Sequence, residues 1–464
     1  MDATQPDSAR VVADTSESLL PGLFPVESQV VPVKENSSGN SGLVSDEDEL
    51  YNRFSRRRKA VFVTILSFCA LLSPISSTGS LTAVPEIAAA FQTTGSVVNI
   101  SNGLYTGAMG VSAFIWGSLS TLCGRRLVLL CSVLSFFAFS LGTALSPNLA
   151  AFFAFRTLSG FGGTGLLVTG PGCIGDLYKP TERGTAIGWF SSGTLVGPAL
   201  GPLLGGAIVT YVNWRDIYWL QTAMAGLASV LALFAIPETI HQKQWAAIPK
   251  DRRVRETFRA LNPAKLLALI GDVNILLVAL ASSALVWNMY SFLVPIVYVI
   301  NPRLGLTTPL QSGLFYLAPG SGYLLGTFFG GRWADRVVKK WMRKRNGERR
   351  PADRLRAAVP WMGLGIPSFL SMFFQGFCQL MVFPSVGTYC LDVMPSRSAE
   401  VTAANYLLRY IFGAAGSAVV LPAVEKIGIG AFSTISAGFV AIACGGVLLV
   451  IHDKVPYTRK HTPG

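Results

Sequence analysis

Charged side chains are scarce in this 464-residue chain, since Asp, Glu, Lys and Arg make up only 14% of it while hydrophobic residues make up 51%. The mean hydropathy is correspondingly high, at +0.47. Such a composition excludes a soluble globular protein and is typical of a protein with several transmembrane helices.

Histidines and paired cysteines are missing from the places where chemistry would need them. The three histidines, at 241, 452 and 461, lie in predicted loops, which excludes a histidine proton relay within the membrane. The seven cysteines lack the paired spacing of a disulfide framework or a zinc site. Since no cluster of His, Asp or Cys lies near the span ends either, we predict no metal, no cofactor and no enzyme activity.

Apolar runs, by contrast, are numerous. Uncharged runs long enough to cross a bilayer lie at about 60–84, 102–122, 127–146, 149–172, 186–211, 217–236, 274–300, 310–330, 357–391, 401–424 and 430–451.

The run 357–391 has an awkward length of 35 residues. Two helices need about 40 residues plus a turn, whereas one helix of this length would measure about 52 Å across a hydrocarbon core of roughly 30 Å. The run is thus shorter than a pair of spans requires. We therefore predict eleven or twelve spans and leave the choice open.

The net charge of +13 follows the predicted membrane topology. With twelve spans and a cytosolic N-terminus, the inside segments hold 31 Lys and Arg and the outside loops hold three. That asymmetry is the positive-inside pattern of membrane proteins, so it gives no reason to expect nucleic acid as a partner. The polar residues 1–55 are predicted to be a disordered cytosolic tail.

The chain divides into two halves around a long basic segment. Gly117-Ser-Leu-Ser-Thr121-Leu-Cys-Gly124-Arg125-Arg126 in the first half is echoed by Gly331-Arg-Trp-Ala-Asp335-Arg336-Val-Val-Lys339-Lys340 in the second. Parallel repeats of this kind are typical of transporters built from two bundles. The predicted divisions are a tail (1–55), an N-terminal six-helix bundle (56–236), a cytosolic linker (237–272), a C-terminal bundle (273–452) and a second cytosolic tail (453–464).

Small residues form a stripe in the fifth predicted span. Gly193, Gly197, Gly201 and Gly205 recur every fourth residue, and Pro198 follows the second of them. A glycine face of this kind lets a neighbouring helix approach to backbone contact.

This stripe resembles the antiporter signature of major facilitator superfamily exporters, and the resemblance extends over about residues 55–455. The arrangement is most similar to the twelve-span drug:proton antiporters of fungi, of the quinidine-resistance type. The resemblance implies an all-α membrane protein with the major facilitator fold, made of two six-helix bundles. It also implies export of small amphipathic organic molecules in exchange for protons, driven by the proton gradient and without a cofactor.

Arg156 lies inside an apolar run, where a guanidinium costs at least a few kcal/mol and needs a partner or a wet cavity. The resemblance assigns this arginine and the stripe of Gly193, Gly197, Pro198, Gly201 and Gly205 to proton coupling. The alternative is a helix–helix anchor bonded to carbonyl groups. The acid that carries the proton is not identified by the sequence, and Glu86, Asp176 and Asp392 are the candidates.

The resemblance also predicts loops that gate the cytosolic side through charged contacts. In the first-half loop, Thr121 and Leu122 stand where the family has Asp and Arg, so we expect a weakened or rewired gate there. The predicted gating residues are Gly117, Gly124, Arg125, Arg126, Asp176, Arg183, Asp335, Arg336 and Asp392.

Aromatic and uncharged polar residues in the spans predict a cavity for flat amphipathic molecules, with ordinary helix packing as the alternative. The predicted lining is Tyr105, Asn288, Tyr290, Phe374, Gln375, Asn405 and Arg409.

The expected partners are the lipid bilayer and a small organic substrate, and we expect a monomer. The plasma membrane is the expected location, with a vacuolar or other internal membrane as the alternative. An importer or an organelle carrier of organic acids or other metabolites remains an alternative function. A multi-span membrane enzyme or receptor is a remote one.

Overall fold

The structure is a computed structural model that describes residues 51, 53–178, 183–240, 249–347, 350–365, 372–394 and 398–452. The regular structure of these residues consists of helices, and they all belong to one compact unit, Asp46–Gly464. The predicted tail 453–464, nearly all of the tail 1–55, and Arg397 lie outside the described residues.

The first half of the chain forms seven α-helices and one short 3-10 turn. They are α1 (Arg56–Gly79), a 3-10 turn (Leu81–Ala83), α2 (Val84–Ala90), α3 (Gly95–Leu122), α4 (Arg125–Ala144), α5 (Leu149–Leu177), α6 (Arg183–Tyr211) and α7 (Arg215–Ala235).

The rest of the described chain comprises the predicted linker 237–272 and the second half. Its elements are a 3-10 turn (Lys250–Arg252), α8 (Arg253–Ala260), α9 (Pro263–Ile270), α10 (Val273–Leu293), a π turn (Ile296–Ile300), α11 (Asn301–Leu304), α12 (Pro309–Phe315), α13 (Leu317–Lys344), α14 (Ala352–Gly365), α15 (Met372–Val393) and α16 (Ser398–Ile451).

Polar caps fix the starts of several long helices. The side chains of Thr94 and Asn148 accept hydrogen bonds from the backbone N–H groups of the first turns of α3 and α5. Asp272 does the same for α10, and Thr308 forms a capping box with Gln311 at α12. Such caps satisfy N–H groups that have no partner within the helix, so they place the ends of the apolar segments.

Seven helices of the described chain are long and apolar enough to cross a membrane. They are Arg56–Ala90, Arg125–Ala144, Leu149–Leu177, Ala186–Tyr211, Arg215–Ala235, Val273–Val299 and Glu400–Ile451.

The last of these seven helices lies within α16 and contains the two final predicted spans. Gly428 interrupts α16 with φ +79° and ψ 158°, a conformation that residues with a side chain rarely adopt. The two arms of α16 therefore correspond to the separate spans predicted at 401–424 and 430–451.

The ambiguous run 357–391 forms parts of two helices. α14 has 14 residues and α15 has 22, and residues 366–371 between them lie outside the described part. α14 and α15 pack against each other, so the two described parts do not continue as one straight helix. The choice between eleven and twelve spans stays open.

Helices of each half pack mainly against one another. In the first half α1 packs on α6, and α5 packs on both α3 and α4. In the second half α10 packs on α16, and α15 packs on α13 and α14. Each group has its own large apolar cluster, one around Leu129 and Phe136 and the other around Val382 and Val386.

The two groups meet along two helix pairs through small residues. A Cβ on Gly103 of α3 would lie 2.9 Å from the Ala414 carbonyl oxygen of α16. On the other side, a Cβ on Gly313 of α12 would lie 2.8 Å from the Pro202 carbonyl oxygen of α6. The halves thus touch at backbone distance along α3–α16 and α6–α12.

Candidate transport site

Arg156 lies in the N-terminal third of α5 with none of its surface exposed. Its Nη2 donates hydrogen bonds to the Ser80 hydroxyl (2.7 Å), the Asn102 Oδ1 (2.8 Å) and the Ser76 carbonyl (3.0 Å). Its Nε donates a second bond to Asn102 Oδ1 at 3.3 Å. The guanidinium is therefore held by residues of α1, α3 and the turn after α1.

Two tyrosine rings cover the same guanidinium. Its Cζ lies 4.9 Å from the ring centre of Tyr105 in α3 and 5.3 Å from that of Tyr218 in α7. Aromatic faces attract cations, so both contacts stabilise the charge. Gly160, one turn along α5, makes this possible, because a Cβ there would clash with the backbone of Tyr105.

No described carboxylate forms an ion pair with Arg156. Its Nη1 is buried and has no hydrogen-bond partner. Two nearby nitrogen atoms share that condition: Asn102 Nδ2 and Gln221 Nε2. Gln221 belongs to this network because its Oε1 accepts a 3.0 Å bond from Ser76.

The predicted glycine stripe of α6 faces α1. A Cβ at Gly193 would clash with Ser67, one at Gly197 with Pro74, one at Gly201 with Thr78 and one at Gly205 with Gly79. Pro198 is partly buried on the same helix. The stripe thus presses α6 against the helix that supplies Ser76 to Arg156, while its role in antiport stays a prediction.

Arg409, the buried cation of the second half, has aromatic surroundings. Its Cζ lies 4.2 Å from the ring centre of Tyr406, 5.0 Å from that of Tyr410 and 5.3 Å from that of Phe383. Its Nη2 donates a long hydrogen bond to the Tyr410 hydroxyl at 3.4 Å, and the guanidinium also bonds the Tyr406 hydroxyl. Its Nε is buried without a partner.

The two arginine sites approach each other where the halves meet. Tyr410 packs against the apolar cluster that contains Tyr105 and Met109. Beside it, the hydroxyl groups of Thr106 and Tyr290 lie 3.3 Å apart and join α3 to α10. Of the predicted lining residues, the structure therefore brings Tyr105, Tyr290 and Arg409 together.

The other predicted lining residues lie in separate contacts. Asn405 accepts a 3.1 Å bond from Ser282, and Gln375 donates a 2.9 Å bond to Gln379 within α15. Asn288 is buried with its Oδ1 unpartnered. Phe374 is 57% exposed and packs edge-on against Phe373, so the structure does not place it with the buried lining.

The first predicted gating loop contains an ion pair within its own half. Arg125 Nε lies 3.2 Å from Asp176 Oδ2, and Arg125 Nη1 donates a 2.6 Å bond to Ser120. Glu238 accepts the backbone N–H groups of Arg125 and Arg126 at 2.9 and 3.3 Å. Asp176 therefore supplies the acid that the loop lacks at Thr121.

Glycines shape this first loop. Gly124 caps α4 with φ +105°, which favours a residue without a side chain. Gly117 of α3 faces α5, where a Cβ would make an ordinary van der Waals contact of 3.4 Å with Val168. The side chain of Arg183 lies outside the described residues.

The second predicted gating loop has a centre that sequence reasoning missed. Arg354 of α14 binds two predicted residues, Asp335 at 2.9 Å and Asp392 at 3.4 Å. Arg336 is exposed and makes no described ion pair. The family pattern pointed to the loop residues, whereas Arg354 lies 19 residues after Asp335.

Within the described residues, no ion pair joins the first half to the second. Asp176, Asp335 and Asp392 each bind an arginine of their own half, and the charged latch between bundles stays a prediction. Among the candidate proton carriers, Asp176 and Asp392 are held by arginines. Glu86 in α2 keeps one carboxylate oxygen buried without a partner.

The comparisons with known proteins agree with this architecture. The model of the Major Facilitator Superfamily matches residues 66–417. The MFS antiporter QDR3 of Candida albicans is 35% identical over 227 residues, which cover 49% of this chain and 33% of that protein. Citrate exporter 1 of Aspergillus niger is 24% identical over 440 residues, covering 82% of this chain and 83% of that protein.

A solved structure gives the same fold. The human organic anion transporter MFSD10 (TETRAN) superposes with a TM-score of 0.63 at 17% identity, covering 85% of this chain and all of that one. The predicted fold and the resemblance to fungal antiporters are thus confirmed. The match spans about a third of the Candida protein. The chain belongs to the major facilitator superfamily and is a multi-pass membrane transporter, not an enzyme.

Proposed function

We propose that this transporter exports small amphipathic organic molecules in exchange for protons, by alternating access of its two helical halves. Relatives named as an antiporter and as a citrate exporter support the direction. The plasma membrane is the proposed location, and the proposed working form is a monomer. Bilayer lipid and the small organic substrate are the proposed partners, and the proton gradient takes the place of a cofactor.

The observation that carries the proposal is the state of Arg156. A wholly buried cation without a carboxylate partner costs free energy within a membrane span. Four hydrogen bonds and two tyrosine rings hold it at the level where the halves meet. Buried charges of this kind in membrane spans are typical of residues that bind substrate or drive the transport cycle.

The contacts between halves suit a rocking motion. Small residues on α3 and α6 meet the opposite half at backbone distance, so the surfaces can slide with little rearrangement of side chains. Arg125 and Arg354 hold charges within their own halves. Each half can therefore move as a unit.

Proton exchange needs an acid, since arginine keeps its proton in proteins. Asp176 and Asp392 already bind Arg125 and Arg354. Glu86 lies in α2, close in sequence to Ser80, and one of its carboxylate oxygens is buried without a hydrogen-bond partner. We therefore propose Glu86 as the proton carrier.

The test is the accumulation of a panel of fluorescent amphipathic compounds in cells that lack their own pumps. We expect this chain to lower accumulation at least severalfold and a protonophore to abolish that effect. Arg156→Ala should lose export without losing expression, and Glu86→Gln should lose the response to the proton gradient. Arg303→Ala, which removes an exposed outer cation, is the matched control.

Two results would contradict the proposal. Export that persists in Arg156→Ala would remove this arginine from the transport cycle. Export that the protonophore leaves unchanged would exclude proton coupling.

A further inference from the structure

Three buried nitrogen atoms in the network around Arg156 can donate hydrogen bonds and have no partner. They are Arg156 Nη1, Asn102 Nδ2 and Gln221 Nε2. The amide of Asn102 is oriented by its Oδ1, which accepts from Arg156 and from Ser80. Buried donors are normally satisfied, so three in one network indicate that an acceptor belongs there.

The missing acceptor should also carry negative charge. The guanidinium has no described carboxylate as a counter-ion, although tyrosine rings cover its faces. A neutral ligand would satisfy the donors and leave the charge unbalanced, and an ammonium group would be repelled. An anion satisfies both requirements, because hydrogen bonds from arginine to carboxylates are the strong ones.

We infer that Arg156, with Asn102 and Gln221, binds a carboxylate group of the transported molecule. The inference rests on the proposed function and gives the substrate class: amphipathic organic acids. A carboxylate has two oxygens, which suits one guanidinium nitrogen and the side-chain amides beside it. The rings of Tyr105 and Tyr218 provide an aromatic surface for the apolar body of such an acid.

Access to this group requires the halves to separate. Arg156 is 0% and Asn102 2% exposed, and Thr106 beside them contacts Tyr290 of the other half. Opening of the α3–α16 contact exposes the donors, which is the motion that alternating access supplies. The carboxylate of the substrate then supplies the hydrogen-bond acceptors that the closed site lacks.

Arg409 does not provide an equivalent group. Three aromatic rings surround it, and its hydrogen bonds are to the hydroxyls of Tyr406 and Tyr410. Asn405, one turn away, bonds Ser282 of α10 and Cys390 of α15 and makes no described contact with Arg409. The carboxylate is therefore assigned to the first half.

The experiment measures binding and does not depend on transport. The purified full chain in detergent is titrated with 4-phenylbutyrate and with 4-phenylbutyramide, which share one body and differ in the charged group. The readout is the shift in thermal unfolding temperature. We expect the carboxylate to half-saturate the shift at a concentration at least tenfold lower than the amide does.

Variants locate that preference. Arg156→Gln should abolish the preference for the carboxylate, and Arg156→Lys should keep part of it because the positive charge remains. Arg303→Gln, the control that removes an exposed outer charge, should keep all of it. If Arg156→Gln does not fold, the comparison of 4-phenylbutyrate with 4-phenylbutyramide on the unmodified chain and on Arg156→Lys still tests the inference.

Equal stabilisation by both probes, no stabilisation by the carboxylate, or an unchanged preference in Arg156→Gln would each overturn the inference. The proposed function fails separately. Carboxylate preference in a chain that exports nothing would refute export and retain the binding group. Export of neutral amphipathic molecules by a chain that shows no carboxylate preference would refute the binding group and retain export.

Discussion

The two buried arginines are held in different ways. Arg156 in the first half makes four hydrogen bonds to α1, α3 and the turn between them, and two rings cover it. Arg409 in the second half bonds only tyrosine hydroxyls among the described residues and is surrounded by the rings of Tyr406, Tyr410 and Phe383. One site is a directional polar network and the other is an aromatic box.

This difference separates binding from packing. Hydrogen bonds fix the direction of Arg156 and leave its Nη1 without a partner, as expected of an incomplete site. Ring contacts tolerate many orientations of a cation. This contrast supports the proposal that Arg156 recognises a ligand, while the role of Arg409 in lining a cavity stays a prediction.

The largest expected effect that tests this comparison is on the free energy of unfolding. We expect removal of the buried arginine to change it with opposite signs in the two halves. Arg156→Met keeps the length of the side chain and removes a buried charge that lacks a counter-ion. Ser80 keeps its 2.9 Å bond to Asn102 in that variant. Replacing buried ionic groups by apolar ones of similar volume is often stabilising, so we expect a gain of about 2 kcal/mol.

Arg409→Met should instead cost about 1 kcal/mol, because it loses contacts with three rings. Thermal unfolding in detergent, followed by tryptophan fluorescence, measures both variants against the unmodified chain. A shift of the same sign in both would show that the two sites are energetically alike.

A second prediction adds an internal carboxylate to each half. In Asn102→Asp, which has nearly the same shape, the new carboxylate lies beside Nε and Nη2 of Arg156. We expect a gain of about 1 kcal/mol from this charge-assisted contact. The same substitution should abolish the stabilisation by 4-phenylbutyrate, since the arginine then has its counter-ion.

Asn288→Asp is the matched change in the second half. Asn288 is 4% exposed, its Oδ1 has no partner, and no described arginine contacts it. A buried carboxylate without a cation is costly, so this variant should lose about 2 kcal/mol. Stabilisation by Asn288→Asp would show that a buried acid is tolerated generally. The effect of Asn102→Asp would then give no information about the charge of Arg156.

Much of the first-half site could be predicted from the sequence, because its signals are local. A glycine at every fourth position defines one face of a helix whatever its partner, and that face does pack closely in the structure. An arginine in an apolar run is costly wherever it lies, so Arg156 was identifiable. The boundaries of the helices followed from the runs of uncharged residues.

The partners of Arg156 could not be predicted in the same way. Ser80 and Asn102 precede it by 76 and 54 residues, and their small polar side chains are ordinary for membrane helices. Arg354 was missed for a similar reason, since it lies in a basic stretch that topology alone explains. Contacts between distant segments depend on packing, which a single sequence does not reveal.

The smallest expected effect concerns the loops at the ends of the halves. In the second half Arg354 binds two acids, Asp335 and Asp392, whereas in the first half Arg125 binds one, Asp176. Thr121→Asp would give the first loop the acid that its counterpart has at Asp335. Ser120, next to this position, already accepts a hydrogen bond from Arg125, so the new carboxylate would compete for that arginine.

The competition should be modest, because partly exposed ion pairs contribute about 1 kcal/mol or less. We therefore expect Thr121→Asp to change the export rate by less than about fivefold, a bound set by that energy. Arg125→Gln, which removes the shared partner, should cancel the change in the double variant. An effect that persists without Arg125 would mean that the acid at Thr121 acts on the opposite half, as a latch between bundles does, and not within its own.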